Sequence, residues 1–261
     1  MSNFHTHSYY SVRDGVQSPK AIAEFQKESG KGWFCITDHG TMAGHPEAFE
    51  VAHKLGMNFF AGCEFYVKPD EMFDGKENTL KLAELQKILR KKTATEEEKN
   101  LAKAEFDKIT SVQGYNEAYY HLTVFAYNKT GLLNLYKINN NGDFYYKTRV
   151  RKEDLLKYNE GLIVLSGCPG GELFKMIEYG YMEYANKWLT DFKEAYGDRL
   201  YFELMFHDGV VNVEDIEGES DSDRQKRRIE REKELYSKGI ELARAHGIKI
   251  IGSNDSHYTN P

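Results

Sequence analysis

Short apolar segments alternate along this chain with longer amphipathic ones. The apolar segments are rich in β-branched and aromatic residues and occupy residues 3–7, 32–37, 57–67, 119–126, 161–166, 200–206 and 248–253. Helical periodicity fills residues 18–30, 46–56, 171–180, 182–196 and 223–246, and Gly30, Gly56 and Gly247 stand where helices end. Strands that alternate with helices form a largely parallel sheet. We therefore predict an α/β fold whose sheet closes as a barrel.

Two segments interrupt this rhythm. Residues 70–113 are highly charged and rich in Lys, Glu, Leu and Ala, which predicts a helical hairpin whose second arm opens at Thr95. Residues 213–231 begin acidic and become basic, which is typical of a solvated loop leading into a helix; a surface that meets nucleic acid or a partner protein is the alternative. A length of 261 residues suits a single α/β barrel, so we predict one domain, 1–261, with these two insertions.

Composition and cysteine usage bear on the binding partners and the cellular compartment of this chain. The formal net charge of −6 gives no general basic field for nucleic acid, but a site filled with divalent cations would supply positive charge that composition does not count. The three cysteines, Cys35, Cys63 and Cys168, form no CxxC pair and indicate a reducing compartment. The first residues lack the apolar core of a signal peptide, and no apolar run is long enough to span a bilayer. We expect a cytoplasmic protein without membrane association.

Metal-capable side chains stand at or near the ends of at least six of the seven apolar segments. Strand ends are where α/β folds place their chemistry, whereas random placement would scatter such residues through the helices as well. Each one alone has an ordinary alternative: a turn carboxylate, a helix cap at Asp38, or a buried histidine. Together they form a candidate ligand set of His5, His7, Asp14, His39, Glu64, His121, Cys168, Asp255 and His257.

Three of these positions carry specific physical arguments. His5 and His7 alternate on a strand, so both imidazoles point to the same side. Glu64 lies inside an apolar strand, where an unpaired carboxylate is costly to bury and a metal ion, or an Arg or Lys partner, relieves that cost. Cys168 follows a strand and is a soft ligand, a nucleophile or an inert thiol.

The mixture of ligands restricts the metal. Imidazoles with three carboxylates and one thiolate suit zinc, manganese or iron rather than calcium. Nine ligands are too many for one ion, so we expect two or three divalent ions, which would activate water and clamp a phosphoryl group. Two further histidines lie nearby in sequence: His207 ends the sixth segment and is a candidate for the pocket lining, and His45 lies just beyond His39.

The segments that carry these residues resemble the successive motifs of a known family. They read FHTHSYYSVRDG, ITDHG, GCEFYV, YHLTVFAYN, LSGCPGGEL and SNDSHY. They are similar, in this order and over nearly the whole chain, to the polymerase-and-histidinol-phosphatase (PHP) family, and most of all to the PHP domain that begins the bacterial replicative DNA polymerase III alpha subunits. The resemblance to those subunits stops at Pro261, so the chain is either an excised domain or a free-standing PHP protein.

The resemblance implies a distorted (β/α)7 barrel with a trinuclear metal centre. By this likeness His5, His7, Glu64 and Asp255 hold one ion. Glu64 bridges to a second ion, with His121 and Cys168, and Asp14, His39 and His257 hold a third. Every matching position carries a competent ligand, which favours an active site. Residues 70–113 and the acidic stretch after Val213 are longer than the family pattern, which puts the partner surfaces in doubt.

The resemblance also suggests an activity. The leading hypothesis is a metal-dependent phosphoesterase that acts on DNA as a 3′–5′ exonuclease and is associated with a DNA polymerase III alpha-type subunit. The alternatives are a phosphomonoesterase of the histidinol-phosphatase type and a metal-stabilised scaffold that docks polymerase or replisome subunits. Candidate phosphate contacts are Arg13, Lys147, Arg149 and Arg151, and candidate base-stacking residues are Tyr9, Tyr10, Tyr145 and Tyr146; surface placement and barrel packing are the alternatives for these residues.

Overall fold

The structure is a computed structural model that describes residues 4–205, 209, 211 and 213–258, with only the backbone of Tyr145. The strands of this part are β1 (His5–Thr6), β2 (Trp33–Ile36), β3 (Asn58–Val67), β4 (Tyr120–Ala126), β5 (Asp143–Tyr145), β6 (Lys147–Val150), β7 (Leu162–Leu165), β8 (Leu200–Leu204), β9 (Lys249–Gly252) and β10 (Asp255–Ser256). The α-helices are α1 (Pro19–Glu28), α2 (His45–Leu55), α3 (Gly75–Arg90), α4 (Glu96–Thr110), α5 (Lys129–Asn140), α6 (Lys152–Lys157), α7 (Glu172–Glu178), α8 (Met182–Tyr196) and α9 (Asp221–Ala245).

The strands follow one another around a ring. One path of hydrogen-bonded neighbours runs β3–β4–β7–β8–β9, and β2 pairs with β3. β10 follows β9 in the chain and pairs with β1. The backbone N–H of Thr37, directly after β2, donates to the Thr6 carbonyl of β1 at 2.8 Å and so links the two sheets, but the strand pairing does not close into one continuous sheet among the described residues. The α/β barrel-like architecture predicted from the sequence is confirmed.

One strand of this ring is reversed. β4 runs antiparallel to β7, with Thr123 opposite Leu165 and Ala126 opposite Leu162. The pairs β1–β10, β2–β3, β7–β8 and β8–β9 are all parallel, as predicted. Because of this reversal, the first residues of β4 lie at the edge where the parallel strands end. β5 and β6, which the apolar pattern did not predict, form an antiparallel hairpin.

Local capping chemistry explains where the helices begin and end. The Ser18 hydroxyl accepts from the Ala21 N–H at 3.0 Å, and Pro19 occupies the first turn of α1, where its missing N–H costs nothing. Helix α2 ends at Gly56, whose φ of 64° is the left-handed conformation that glycine adopts without steric cost.

The charged insertion is helical, as predicted, and Val67–Tyr120 forms a compact unit of its own. Asp74 caps α3 by accepting from Lys76 and Glu77, and a capping box between Thr95 and Glu98 opens α4. The second predicted insertion leads into α9, where Arg227 donates to Glu219 at 2.6 and 2.7 Å. Part of this basic run is therefore neutralised by the acidic residues before it, which favours the solvated-loop interpretation.

The interior of the ring changes character from one end to the other. Cys35, Phe125 and Leu165 form an apolar cluster in which the flanking aromatics Phe4 and Trp33 also pack. The three cysteines are buried, and none of them forms a disulfide among the described residues. The described part of the chain contains no helix with the length and apolar character that crossing a membrane requires. At the other end of the ring the buried side chains are imidazoles and carboxylates.

Candidate metal centre

The first strand delivers two buried imidazoles to this polar end. His5 lies in β1 directly opposite Asp255 of β10, and His7 follows β1. The Nε2 atom of His7 lies 3.1 Å from Oδ1 of Asp255, and the Nε2 atom of His5 lies 3.8 Å from the same oxygen. Because alternate residues of an extended segment share a side, both rings face one carboxylate. These three side chains have the spacing of a metal site.

Glu64 stands at the centre of the cluster. Its side chain is fully buried, and four imidazoles surround its two oxygens. The distances to these oxygens are 3.3 Å from His5 Nε2, 3.5 Å from His7 Nε2, 2.6 Å from His39 Nδ1 and 3.2 Å from His121 Nδ1. No arginine or lysine is paired with this carboxylate among the ion pairs of the described residues. An Arg or Lys partner, the alternative to a metal ion at this position, therefore finds no support.

His121 reaches the cluster because β4 is reversed. It is the second residue of its strand, yet it lies beside Glu64, which is near the end of β3. Cys168 comes from the loop after β7, and its Sγ lies 3.5 Å from Glu64 Oε1 and 3.6 Å from His121 Nδ1. A Cβ on Gly170 would come within 3.4 Å of His121 Nδ1, so the glycine lets the loop backbone approach the ring closely.

The remaining three predicted ligands lie on the outer side of the cluster. Asp14 sits in a turn in which Gly15 N–H donates to Ser11 O at 2.9 Å, and its carboxylate is 46 % exposed. His39 Nε2 lies 3.3 Å and His257 Nε2 lies 3.8 Å from Asp14 Oδ2. The structure thus brings together all nine residues that the sequence singled out, with the exposed edge formed by Asp14.

Several buried polar atoms in the cluster lack a hydrogen bond. Among the described residues, His7 Nε2, His39 Nδ1, Glu64 Oε2 and Asp255 Oδ1 lie close to one another without hydrogen-bond geometry. Leaving such groups unsatisfied costs about 1–3 kcal/mol each. All four atoms are metal-ligand atoms, and they converge on the same space. Divalent cations bound there would satisfy all of them at once, so the residues present fit a metal centre.

In the absence of a metal ion, burial and the neighbouring charges shift the pKa values of these side chains in opposite directions. Burial alone would raise the pKa of Glu64, but the surrounding His121 and His5 hold that pKa well below its usual range. Burial lowers the pKa of His7 to about 4, whereas the carboxylates around His5 outweigh its burial and raise the pKa of that ring. Burial also raises the pKa of the Cys168 thiol, so without a cation this sulfur stays protonated and is a poor nucleophile.

Asp38 orients His7 through a serine. Asp38 is buried and accepts from the Ser8 N–H at 2.7 Å and from the Ser11 hydroxyl at 2.9 Å. Since the Ser11 hydroxyl donates to Asp38, its oxygen accepts from His7 Nδ1, 3.0 Å away, which leaves the Nε2 lone pair facing Glu64 and Asp255. The proposed helix cap at Asp38 is wrong, because the N-cap of α2 is Gly44, which makes no side-chain hydrogen bond.

Glu203 plays the same part for His5. It is buried in β8 with Oε1 3.3 Å from His5 Nδ1, and it also accepts from the Ser253 hydroxyl. A carboxylate that accepts from one ring nitrogen fixes the tautomer and leaves the other nitrogen for a metal. The sequence contained the signal for Glu203, because it lies inside an apolar segment just as Glu64 does; Ser11 and Ser253 carry no comparable signal.

Of the predicted phosphate contacts, Lys147 is the one that the structure places against the cluster. Its Nζ donates to the Tyr66 hydroxyl at 2.6 Å and lies 4.0 Å from the centre of the Tyr66 ring. That ring stacks against His39, with 5.9 Å between centroids, and meets His121 edge-on at 5.4 Å. Tyr66 was not identified from the sequence, since a tyrosine in an apolar strand is ordinary packing.

The other predicted substrate contacts fare differently. Arg149 is fully buried, and exposed Arg151 is engaged with Asp143 at 2.7 Å. The Tyr10 hydroxyl donates to Glu47 at 3.2 Å, and Tyr9 also donates to Glu47. Arg13 is exposed on the turn that carries Asp14.

Two histidines and two tyrosines remain among the residues that the sequence singled out. His45 is buried away from the cluster, with Nε2 2.9 Å from the Gly62 carbonyl and Nδ1 3.3 Å from the Tyr136 hydroxyl. Tyr146, on the β5–β6 hairpin, is 55 % exposed. His207 and the side chain of Tyr145 lie outside the described residues.

Comparisons with known sequences agree with the resemblance of the motifs. The sequence profile of the PHP domain family matches residues 3–207. The chain is similar to DNA polymerase III subunit alpha of Treponema pallidum, with 29 % identity over 260 residues, and to that of Borreliella burgdorferi, with 28 % identity over 261 residues. These alignments cover 98 % and 99 % of this chain. The chain spans 18 % of the length of each of these relatives.

Solved structures show more distant likenesses. One is described as a putative metal-dependent phosphoesterase from Bifidobacterium adolescentis, with 14 % identity and a TM-score of 0.37. Another is described as an amidohydrolase from Chromobacterium violaceum, with 14 % identity and a TM-score of 0.43. Each alignment covers 98 % of this chain and 87 % of the other chain.

Proposed function

The chain belongs to the PHP domain family, and we propose that it is a metal-dependent phosphoesterase whose nine clustered side chains hold two or three divalent ions. The observation that carries this proposal is the environment of Glu64. A fully buried carboxylate with four imidazole nitrogens within 3.5 Å, and with one oxygen that makes no hydrogen bond to the described residues, is poorly explained as a structural feature. As a bridging ligand it has a function that accounts for its position.

The side chains divide naturally among the ions. His5, His7, Glu64 and Asp255 would hold one ion. Glu64 would bridge to a second ion, with His121 and Cys168, and Asp14, His39 and His257 would hold a third. The 2.6 Å approach of His39 to Glu64 brings His39 nearer to the second group than the family resemblance implies. The ligand types fit zinc, manganese or iron. When bound, such ions lower the pKa of a coordinated water and neutralise charge on a phosphoryl group.

The protein's own residues then prepare the site. Ser11 with Asp38, and Glu203, hold His7 and His5 as neutral rings whose Nε2 lone pairs face inwards. The exposed carboxylate of Asp14 marks the side from which a substrate reaches the cluster. A side-chain nucleophile is not required, so Cys168 acts in this proposal as a ligand.

We infer that the substrate is DNA and that the chain removes nucleotides from the 3′ end. The support is the likeness to DNA polymerase III alpha subunits over nearly the whole chain, although these relatives are much longer. By the same likeness, polymerase or other replisome subunits are its proposed partners. The geometry of the ligands themselves would serve a phosphomonoester equally well.

The test is cleavage of a single-stranded oligonucleotide by the purified chain with added manganese or zinc. A label at the 3′ end should be released early in the reaction, whereas a label at the 5′ end should stay on strands that become progressively shorter. Activity should disappear in His7→Ala and persist in His53→Ala, which removes an exposed histidine of α2. Equal cleavage by the parent and by His7→Ala, or cleavage by neither, would refute an exonuclease centred on this cluster.

A substrate panel separates the two alternatives. Turnover of sugar or amino-alcohol phosphates without DNA cleavage would identify a phosphomonoesterase of the histidinol-phosphatase type. Bound metal that raises the unfolding temperature without hydrolysis of any ester would identify a metal-stabilised scaffold.

A further inference from the structure

The β5–β6 hairpin carries three cationic side chains at alternate positions, and they do three different things. Arg149 is buried, and Arg151 binds Asp143 of β5 at 2.7 Å and so ties the two strands together at their base. Lys147 instead extends to Tyr66 of β3. Arg151 therefore stabilises the hairpin itself, whereas Lys147 extends from the hairpin to a neighbouring strand.

The position of Lys147 is fixed by its surroundings. Its ammonium group donates to the Tyr66 hydroxyl at 2.6 Å and lies 4.0 Å from the centre of that ring, so one tyrosine holds it through both a hydrogen bond and a cation–π contact. Tyr66 is only 5 % exposed and packs against the rings of His39 and His121. A lysine placed in this way has already lost much of the side-chain freedom that binding would otherwise remove.

The backbone beside Lys147 is also constrained. Tyr146, the single residue between β5 and β6, has a φ of 40°, a left-handed conformation that a bulky residue adopts only when its surroundings require it. Gly142 adds to this tight packing, because a Cβ there would lie 2.6 Å from Thr148 and 2.9 Å from the Arg149 carbonyl. The hairpin thus presents Lys147 from a defined backbone rather than from a mobile surface loop.

The location of the ammonium group gives it a role. The Tyr66 ring that it contacts also packs against two proposed metal ligands, His39 and His121, and the charges of Asp14 and Glu64 act on it. A phosphate ester bound at a metal cluster has negatively charged non-bridging oxygens. A fixed positive charge beside the cluster can bind one of these oxygens. Lysine serves as a point charge for phosphate.

We propose that Lys147 binds a non-bridging phosphate oxygen of the substrate at the metal centre, and that Tyr66 is the positioning residue that holds its ammonium group. This proposal rests on the proposed phosphoesterase function. It covers phosphodiesters and phosphomonoesters alike, because both present an anionic oxygen beside the reacting phosphorus. Arg151 is assigned to the hairpin through its contact with Asp143.

The variants Lys147→Gln, Lys147→Arg and Tyr66→Phe test the assignment, with Lys129→Gln as a matched control at an exposed lysine of α5. With manganese-loaded protein and a phosphodiester substrate, Lys147→Gln should lower kcat/KM by about 10–100-fold at unchanged metal content, as expected for loss of one charged hydrogen bond. Lys147→Arg should restore part of the loss. Tyr66→Phe keeps the ring but removes the hydroxyl, so KM should rise more than kcat falls.

A binding measurement separates this proposal from the proposed function. The affinity of inorganic phosphate for the manganese-loaded parent should be at least about 10-fold higher than its affinity for manganese-loaded Lys147→Gln. If the parent hydrolyses no ester but binds phosphate through Lys147, the proposed activity fails and the assignment stands. If Lys147→Gln matches Lys129→Gln in kinetics and phosphate binding, if the parent binds no phosphate, or if Lys147→Gln loses its metal, the assignment is overturned.

Discussion

Asp38 supports the His7 ring through Ser11, whose hydroxyl lies 2.9 Å from Asp38 Oδ1 and 3.0 Å from His7 Nδ1. Removing the charge in Asp38→Asn should leave the ligands of the first ion in place but loosen the orientation of His7. Outer carboxylates of this kind contribute about 10–100-fold to metal affinity. We expect a loss of that size in a competitive zinc titration, and a smaller one for Ser11→Ala. Glu50→Gln, at an exposed residue of α2, is the control, and an unchanged affinity in Asp38→Asn would contradict the support that we describe.

Substitutions of Glu64 and of Cys168 should differ in how much bound metal they remove. Glu64 lies beside ligands of every proposed ion, whereas the hydrogen-bond contacts of Cys168 with described ligands are to Glu64 and His121. Elemental analysis should therefore find that Glu64→Gln loses most of the bound metal and that Cys168→Ser loses about one ion per chain. Equal metal content in these two variants would show that Glu64 does not bridge.

Metal removal should destabilise the fold. Ligand binding to the native state adds about 2.7 kcal/mol when free metal is 100 times its dissociation constant, which corresponds to roughly 5–10 °C in a chain of this size. Excess chelator should lower the unfolding temperature of the parent by this amount and lower that of His7→Ala, which lacks one ligand of the first ion, by less. A parent protein that is insensitive to chelator would argue against bound metal in the purified protein.

The metal-free protein should be most stable near pH 6.5. Below that pH the unfolded chain protonates His7 while the native ring, with its pKa lowered to about 4, does not, so the free energy of unfolding should fall by up to about 3 kcal/mol between pH 6.5 and 4. Above that pH the native state holds protons on His5 and His39, whose pKa values are raised by their carboxylate neighbours against the effect of burial, and this stabilisation is lost as the pH rises through those pKa values.

Urea unfolding in chelator at several pH values measures this dependence. His53→Ala should retain the maximum, whereas His7→Asn should flatten the acid limb. A stability that rises steadily from pH 5 to about pH 8 would contradict the balance of charges that we describe.

Gly40→Ala should disturb the packing around Tyr66. Gly40 has a φ of 59°, and a Cβ there would lie 2.7 Å from the Tyr66 ring. The left-handed conformation and the close contact together should cost about 1–3 kcal/mol of unfolding free energy. Urea unfolding compares this variant with Gly32→Ala, where an added Cβ meets nothing within 4 Å. Equal stability of the two variants would mean that the Tyr66 ring moves aside at no cost.

The sequence predicts those parts of the molecule whose causes are local. Ser18 and Pro19 begin a helix, and Gly56 ends one, because capping depends on neighbouring residues alone. The metal-capable residues were recognisable because imidazoles and carboxylates next to apolar strands are rare without a function. His5 and His7 needed only the two-residue repeat of a strand to be placed together.

The rest depends on contacts between distant segments. The direction of β4 follows from how the chain returns after the helical insertion, and the apolar pattern of a strand is the same in both directions. Arg149 and Lys147 look alike in sequence, and only the pairing of β5 with β6 buries one and presents the other. Asp38 reaches His7 through a serine that lies 27 positions away from it in the chain.

The reversal of β4 has a consequence for how such a barrel can change over time. Glu64 near the end of β3 and His121 near the start of β4 have side-chain atoms 3.2 Å apart, although a whole compact unit, Val67–Tyr120, separates them in the chain. A connection between two neighbouring points on one edge can have any length without altering the order or direction of the strands. We therefore expect that this unit can be lengthened, shortened or replaced without moving the ligands on either side of it.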